Sequence, residues 1–309
     1  MNPVYPPPDA GAVGPKGNVG PPRKIPRGKA AGPALLAFLL LAAAPAAGQS
    51  VAPNSSSVSA AFNWYYATSF GTGVYQFNDT TVSALNLPFK VTMREPTDTQ
   101  WGWRLQMPVT MAFANLDVTS ADFTQVKTIN LAGLMVLPGA EIVVPLQPNW
   151  RLTGFGNLGG TWDLDTNAAA AVYRVGLSTR YRVAALREPD LELGVKLINA
   201  GYGTSGEYGN PVNQGSLGVV SSVALPGAPG DARQIRLGAH WIGTNYFTQV
   251  RFRSPAGYTE LHSEYEAGLS LIFRPGFELL GARWDRMGLG YVHAANGLKG
   301  VRLVTEFPF

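Results

Sequence analysis

"AVYRVGLSTRYRV" (Ala171–Val183) alternates from end to end: Tyr173, Val175, Leu177, Thr179, Tyr181 and Val183 fall on one side, Arg174, Gly176, Ser178, Arg180 and Arg182 on the other. Successive side chains of an extended chain point to opposite faces, so this pattern is a strand with one apolar and one polar face. Its thirteen residues are about twice the usual strand length of roughly five or six. A tilted strand that crosses a bilayer needs about 9–11.

The same period of two recurs along the chain. In 84–94, Leu85, Leu87, Phe89, Val91 and Met93 oppose Asn86, Lys90, Thr92 and Arg94. In 101–111, Trp101, Trp103, Leu105, Met107, Val109 and Met111 oppose Arg104, Gln106 and Thr110. In "LELGVKL" (191–197), four aliphatics oppose Glu192, Gly194 and Lys196. "QIRLGAHWIG" (234–243) puts Arg236 and His240 on the polar face, and "HSEYEAGLSLIF" (262–273) puts His262, Glu264, Glu266, Gly268 and Ser270 there. The polar faces are rich in Gly, Ser and Thr with scattered charge, which suits a confined lumen. Trp101, Trp150, Trp162, Tyr181, Tyr202 and Tyr291 stand near segment ends, where interfacial girdles of a barrel lie. These features favour a transmembrane, antiparallel up-and-down β-barrel. A secreted β-sandwich is the rival, and it would struggle to cover such long Val/Leu/Met faces.

Thirteen segments qualify as strands: 57–70, 79–94, 101–116, 127–137, 140–147, 150–162, 169–184, 190–202, 215–225, 233–247, 261–273, 284–294 and 299–309. A bacterial single-chain barrel has an even number. Setting aside 57–70 as an entry segment leaves twelve, with ten or fourteen as alternatives, closed between 79–94 and 299–309. Connections 203–214 and 248–260 then lie outside the cell and "QPN" (147–149) in the periplasm. Two connections fit that count poorly: 117–126 is long for a periplasmic turn, and "PG" (138–139) is short for an outer loop.

Charged residues make up 14% of the 309-residue chain and there is no cysteine, so disulfides and Cys-ligated metals are excluded. Residues 1–48 carry five basic groups against Asp9, which is the whole formal charge of +4; the other 261 residues balance at 19 basic and 19 acidic. That location argues against nucleic-acid binding. "ALLAFLLLAAA" (34–44) follows the basic residues and precedes "PAAGQS". Eleven apolar residues are too few for a spanning helix, which needs about 20, but they fit a secretory signal cut near Ala46–Gly48. The expected organisation is a signal peptide with a Pro/Gly-rich n-region over 1–48, a periplasmic or lumen-lying entry segment over 49–78, and the barrel over 79–309.

"LPGAEIVVPLQPNWRLTGFGNLGGTWDLD" (137–165), "YRVGLSTRYRV" (173–183), "LELGVKLINAGYG" (191–203) and "RMGLGYVHAANGLKGVRLVTEFPF" (286–309) resemble the solitary, autotransporter-like outer-membrane barrels. The resemblance spans most of 80–309. It implies a twelve-stranded Gram-negative barrel with an autotransporter translocator's architecture and no attached passenger. It also implies that the C-terminal strand, through Phe307 and Phe309, is the signal read by the barrel-assembly machinery.

Candidate chemistry is sparse. "HSE" (262–264) has the residue types of a hydrolytic triad, yet adjacent strand residues face opposite ways, so Ser263 points away from His262 and Glu264. Glu264 and Glu266 share the lumen face, with Arg236, His240 and Arg286 on neighbouring strands. Arg174, Arg180 and Arg182 face Glu192 and Lys196 across a hairpin, and such a basic wall biases a pore toward anions. Together these ten residues read as a lumen charge network. "GFGNLGG" (154–160) lacks the Lys and following helix of a phosphate loop. The expected protein is therefore a non-enzymatic integral barrel of the cell outer membrane, a narrow solute pore or a structural barrel, with no catalytic residue, metal or cofactor. Its expected partners are outer-membrane lipid and the assembly machinery. An outer-membrane lipid hydrolase and an adhesion or assembly partner using the long outer loops are the alternatives.

Overall fold

The computed structural model describes residues 71–77, 80–114, 130–164, 167–183, 188–204, 207–208, 211–226, 234–254, 257–279 and 282–305. Its strands are β1 (Gly73–Phe77), β2 (Thr80–Arg94), β3 (Gly102–Ala114), β4 (Asn130–Val136), β5 (Gly139–Gln147), β6 (Trp150–Asp163), β7 (Ala168–Arg182), β8 (Asp190–Thr204), β9 (Glu207–Tyr208), β10 (Val212–Ala224), β11 (Gln234–Ser254), β12 (Gly257–Leu279), β13 (Ala282–His293) and β14 (Leu298–Val304). All pairings are antiparallel, and β14 pairs with β1. The sheet thus returns on itself as a barrel, and the two-sheet sandwich is overturned. Closure leaves every stave with two neighbours.

The wall has twelve staves, though not the twelve expected. β4 and β5 both lie between β3 and β6 and together form one stave, and the two-residue β9, which pairs with the end of β8 on the side that β10 continues, adds none. The segments 127–137 and 140–147 are therefore one interrupted strand, not two. Pro138 interrupts it, because proline has no N–H to give to a ladder. The break stays hydrogen-bonded: Leu137 N–H donates to Pro108 O at 3.0 Å and Leu158 N–H to Pro138 O at 3.0 Å. Gly159 lets the chain pass there, since a Cβ on it would strike the Val136 carbonyl.

The missing stave is β1, inside the stretch expected to be a non-spanning entry segment (49–78). Closure accordingly runs through β1, not directly between 79–94 and 299–309: Gly73–Phe77 pairs with Arg302–Leu298 on one side and Ala84–Thr80 on the other. Segment 57–70 lies outside the described residues, as do the signal region 1–48 and Phe307 and Phe309.

This correction also resolves the two misfit connections. β1 begins and β14 ends at one rim, called here the terminus end, where the strand ends of β2 and β3, β5 and β6, β7 and β8, β10 and β11, and β12 and β13 also meet. The strand ends on either side of 115–129, 205–211, 255–256 and 294–297 meet at the opposite rim, the loop end, and "PG" is part of the wall. The expected loop 248–260 is instead strand: β11 and β12 continue as a hairpin to the pair Ser254–Gly257, past a register irregularity between Asn245 and Val250.

Outward positions are apolar round the ring. Leu85, Phe89, Val91 and Met93 of β2, Val195 of β8, Leu269 of β12 and Leu289 of β13 are all exposed. A belt that continuous far exceeds the few hundred Å² usual for the largest patch on a soluble monomer. Trp101, Trp150, Trp162, Tyr181 and Tyr291 also face outward, and Trp150 meets Tyr181 edge-on at 6.3 Å. Tyr202 does not join them. It sits at an even position of β8, whose odd residues face out, and is buried inside.

Candidate functional site in the barrel lumen

The lumen has two layers. Toward the loop end, Tyr75, Met135, Leu137, Ala170, Val172, Ala200, Tyr202, Val212, Leu261, Val292, Ala294 and Leu298 form one buried apolar cluster, with Ile198 and Tyr246 packed against it. β1 and β8 lie opposite each other in the ring, and both contribute, through Tyr75 and through Ala200 and Tyr202, so the cluster reaches from wall to wall. Tyr75 is fully buried and its ring lies over Gly73 and Gly300, where any Cβ would strike it. Its hydroxyl donates to Gly71 O at 3.2 Å.

Below this layer, toward the terminus end, the lining is charged. On the first staves, Arg104 meets Glu141 at 2.9 Å and Lys90 approaches the same carboxylate at 3.8 Å. Gln106 Nε2 donates to Asn157 Oδ1 at 3.1 Å, and Asn157 Nδ2 to Leu137 O at 2.9 Å. On the last staves, His240 Nε2 donates to Glu266 Oε1 at 2.9 Å, and Arg302 forms an ion pair with the same Glu266. His240 lies opposite Gly268 and Ile242 opposite Glu266, so His240 reaches Glu266 diagonally along the polar face. Gly268 and Gly290 make the room: a Cβ on the first would strike the imidazole, and on the second the carboxylate. Glu264 is buried nearby and is hydrogen-bonded by Tyr246.

A third group spans the terminus-end mouth. Arg182 meets Asp190 at 3.1 Å and Glu192 at 3.4 Å. Arg274 of β12 reaches the same two carboxylates on β8, at 2.9 and 3.1 Å, past the intervening β10 and β11. Arg236 forks onto Glu188 with two contacts of 3.0 Å and onto Ser222. Arg286 and Arg180 lie within electrostatic reach of this group. Arg174 and Lys196 converge on the Phe155 ring, 5.2 and 5.7 Å from its centroid, a cation–π arrangement.

All ten expected network residues therefore lie inside the barrel, but in separate groups rather than one. Arg236 pairs with Glu188 and not with the Glu264–Glu266 pair. Asp190, Glu188, Arg274, Glu141 and Arg302 complete the groups and were absent from the expected set. For Lys90 and Arg104 the signal was available, since both stand on the polar side of strongly alternating strands. His262 is a correction. Near the β11–β12 irregularity Leu261 turns inward and His262 outward, its side chain 60% exposed and 3.7 Å from Glu260. His262 and the buried Glu264 thus lie on opposite faces. Among the described residues no cluster of three or more His, Asp or Glu is arranged to hold a metal.

No family model matches the chain, and no curated protein matches it. Among solved structures, it is similar to the beta domain of the Bordetella autotransporter Brka, with a TM-score of 0.44 and 13% identity over 75% of this chain and 95% of that one. A likeness of that size transfers no residue's role, and the count of twelve staves stands on the strand pairings described above.

Proposed function

We propose that the chain is a non-enzymatic integral barrel of the outer membrane whose lumen is closed at the loop end and polar at the terminus end. Of the two uses expected from the sequence, this reading takes the structural barrel over the narrow pore. The wall-to-wall apolar cluster carries it: a water-filled channel needs a polar lining throughout, and here Tyr75, Val172, Leu261 and Leu298 pack where the channel would run. The apolar outer belt supports the membrane location. Planar-bilayer recording of the refolded chain, with insertion verified by heat-modifiable gel migration, is expected to give no stable conductance steps. Steps that scale with salt concentration would defeat the closed-lumen reading.

The C-terminal strand supports assembly in the same reading. β14 runs toward the terminus end with Val301 and Leu303 outward and Val304 inward, a pattern that the sequence carries on to Phe309. Deleting Phe309 is expected to lower outer-membrane levels well below those of Glu306→Gln, measured by fractionation and immunoblot. Equal levels would refute a role for Phe309 in assembly.

A further inference from the structure

The outer face of β12, β13 and β14 changes character over three successive rows of the sheet. Leu269, Leu289 and Leu303 stand side by side in the first row, and all three are exposed. One row nearer the loop end come Ala267, Tyr291 and Val301, with Trp241 of β11 beside them. The third row is Tyr265, His293 and Lys299, and β13 ends there. Apolar, then aromatic, then polar is the order met on leaving hydrocarbon for the head-group layer. The third row therefore stands at head-group depth.

That row is held in place and carries a cation. Trp241 stacks on Tyr265 with ring centroids 6.1 Å apart. Its indole lies over Gly243, where a Cβ would meet it at 3.0 Å. Tyr265, His293 and Lys299 sit directly opposite one another on adjacent strands, so their backbones span about 10 Å. All three are exposed. Inside the barrel, Arg104, Arg182, Arg274 and Arg302 each meet a carboxylate. The Lys299 and His293 side chains make no ion pair and no hydrogen bond among the described residues. The other strand neighbour of Lys299 is Gln76. On the outer face of β12 the next acid toward the loop end is Glu260, five residues from Tyr265 and 3.7 Å from His262.

An ammonium, a ring N–H and a phenol hydroxyl in one small area offer three donors to a single anion. A phosphomonoester presents three strong acceptor oxygens and a charge beyond one. A phosphate capped by choline presents fewer free oxygens and adds a positive charge. We propose that Tyr265, His293 and Lys299 form a docking site for a membrane lipid with a phosphomonoester head, its acyl chains lying down the wall over Tyr291, Leu289 and Leu269. The proposal rests on the membrane-barrel reading.

It is tested by native mass spectrometry of the full chain refolded in detergent micelles, with folding verified by heat-modifiable gel migration. Phosphatidic acid and phosphatidylcholine of the same acyl chains are the probes. One retained phosphatidic acid is expected, bound at least ten-fold more tightly than phosphatidylcholine. Lys299→Gln with His293→Gln is expected to weaken that adduct at least ten-fold, and Lys299→Arg to keep it. Arg94→Gln, which removes an exposed cation at the terminus end, is expected to leave it unchanged. Equal retention of the two lipids by a folded barrel, or an unchanged adduct in the double variant, overturns the proposal while leaving the barrel reading intact. An equal loss in Arg94→Gln also overturns it, because the attraction would then be to overall charge. A chain that does not fold in micelles defeats both.

Discussion

Tyr75→Ala is expected to cost about 3–5 kcal/mol of barrel stability, the range for truncating a large buried aromatic, and to turn a silent barrel into a conducting one. Tyr75 is fully buried at the loop-end layer. It is held on the glycines at 73 and 300, which have no side chain to move into the vacated space. The layer is one cluster fed by staves on opposite sides of the ring, so a hole at Tyr75 opens a path next to Leu298 and Val292 instead of being healed by one neighbour. Tyr75→Phe keeps the ring and loses only the hydroxyl's bond to Gly71 O. Its expected cost is about 0.5–1.5 kcal/mol, with no conductance. Urea midpoints in detergent and bilayer recordings check both variants. Wild-type midpoints together with silence for Tyr75→Ala would show that the apolar cluster neither stabilises nor seals the lumen.

Particular residues show how much of this was legible in advance. The facing of 171–183 follows from alternation alone, because a strand's side-chain period is two and nothing in β7 disturbs it. Tyr202 was legible by the same count and was obscured by reading aromatics near segment ends as girdle. The interrupted stave was harder. Val136 and Gly139 flank a Pro-containing pair that resembles a tight turn, and only the pairing of both pieces with β3 and β6 shows the chain continuing in one direction. β1 is five residues long, too short to stand out; closure of the ring is what gives it meaning. The outward turn of His262 depends on an irregular register between two strands. Contacts such as Arg274 to Asp190, 84 residues apart, depend on barrel curvature, which brings non-neighbouring staves within side-chain reach. Polarity and facing are local properties of a strand and can be read; partner identity is a property of the closed ring.

Glu266→Ala is expected to destabilise the barrel by about 3–5 kcal/mol, as removing one member of a buried ion pair does. His240 and Glu266 side chains are 0% and 3% exposed, and Arg302 is 19% exposed. Without the carboxylate, Arg302 keeps a charge in a mostly dry place and His240 loses the acceptor for its Nε2–H. Glu266→Gln keeps the volume and an acceptor for His240, so its cost falls on the Arg302 pairing. The discriminating variant is Glu266→Gln with Arg302→Met. Removing both charges relieves the desolvation of Arg302, for which Glu264 remains a counter-charge within electrostatic reach, so the double variant is expected to unfold at a higher denaturant concentration than Glu266→Gln by itself. Additive losses would mean that Glu266 and Arg302 contribute independently and that no buried coupling links β12 to β14 across the closing staves. A coupled result ties ring closure to the lumen charges, because Arg302 sits on the strand that closes the ring against β1, opposite Gly73.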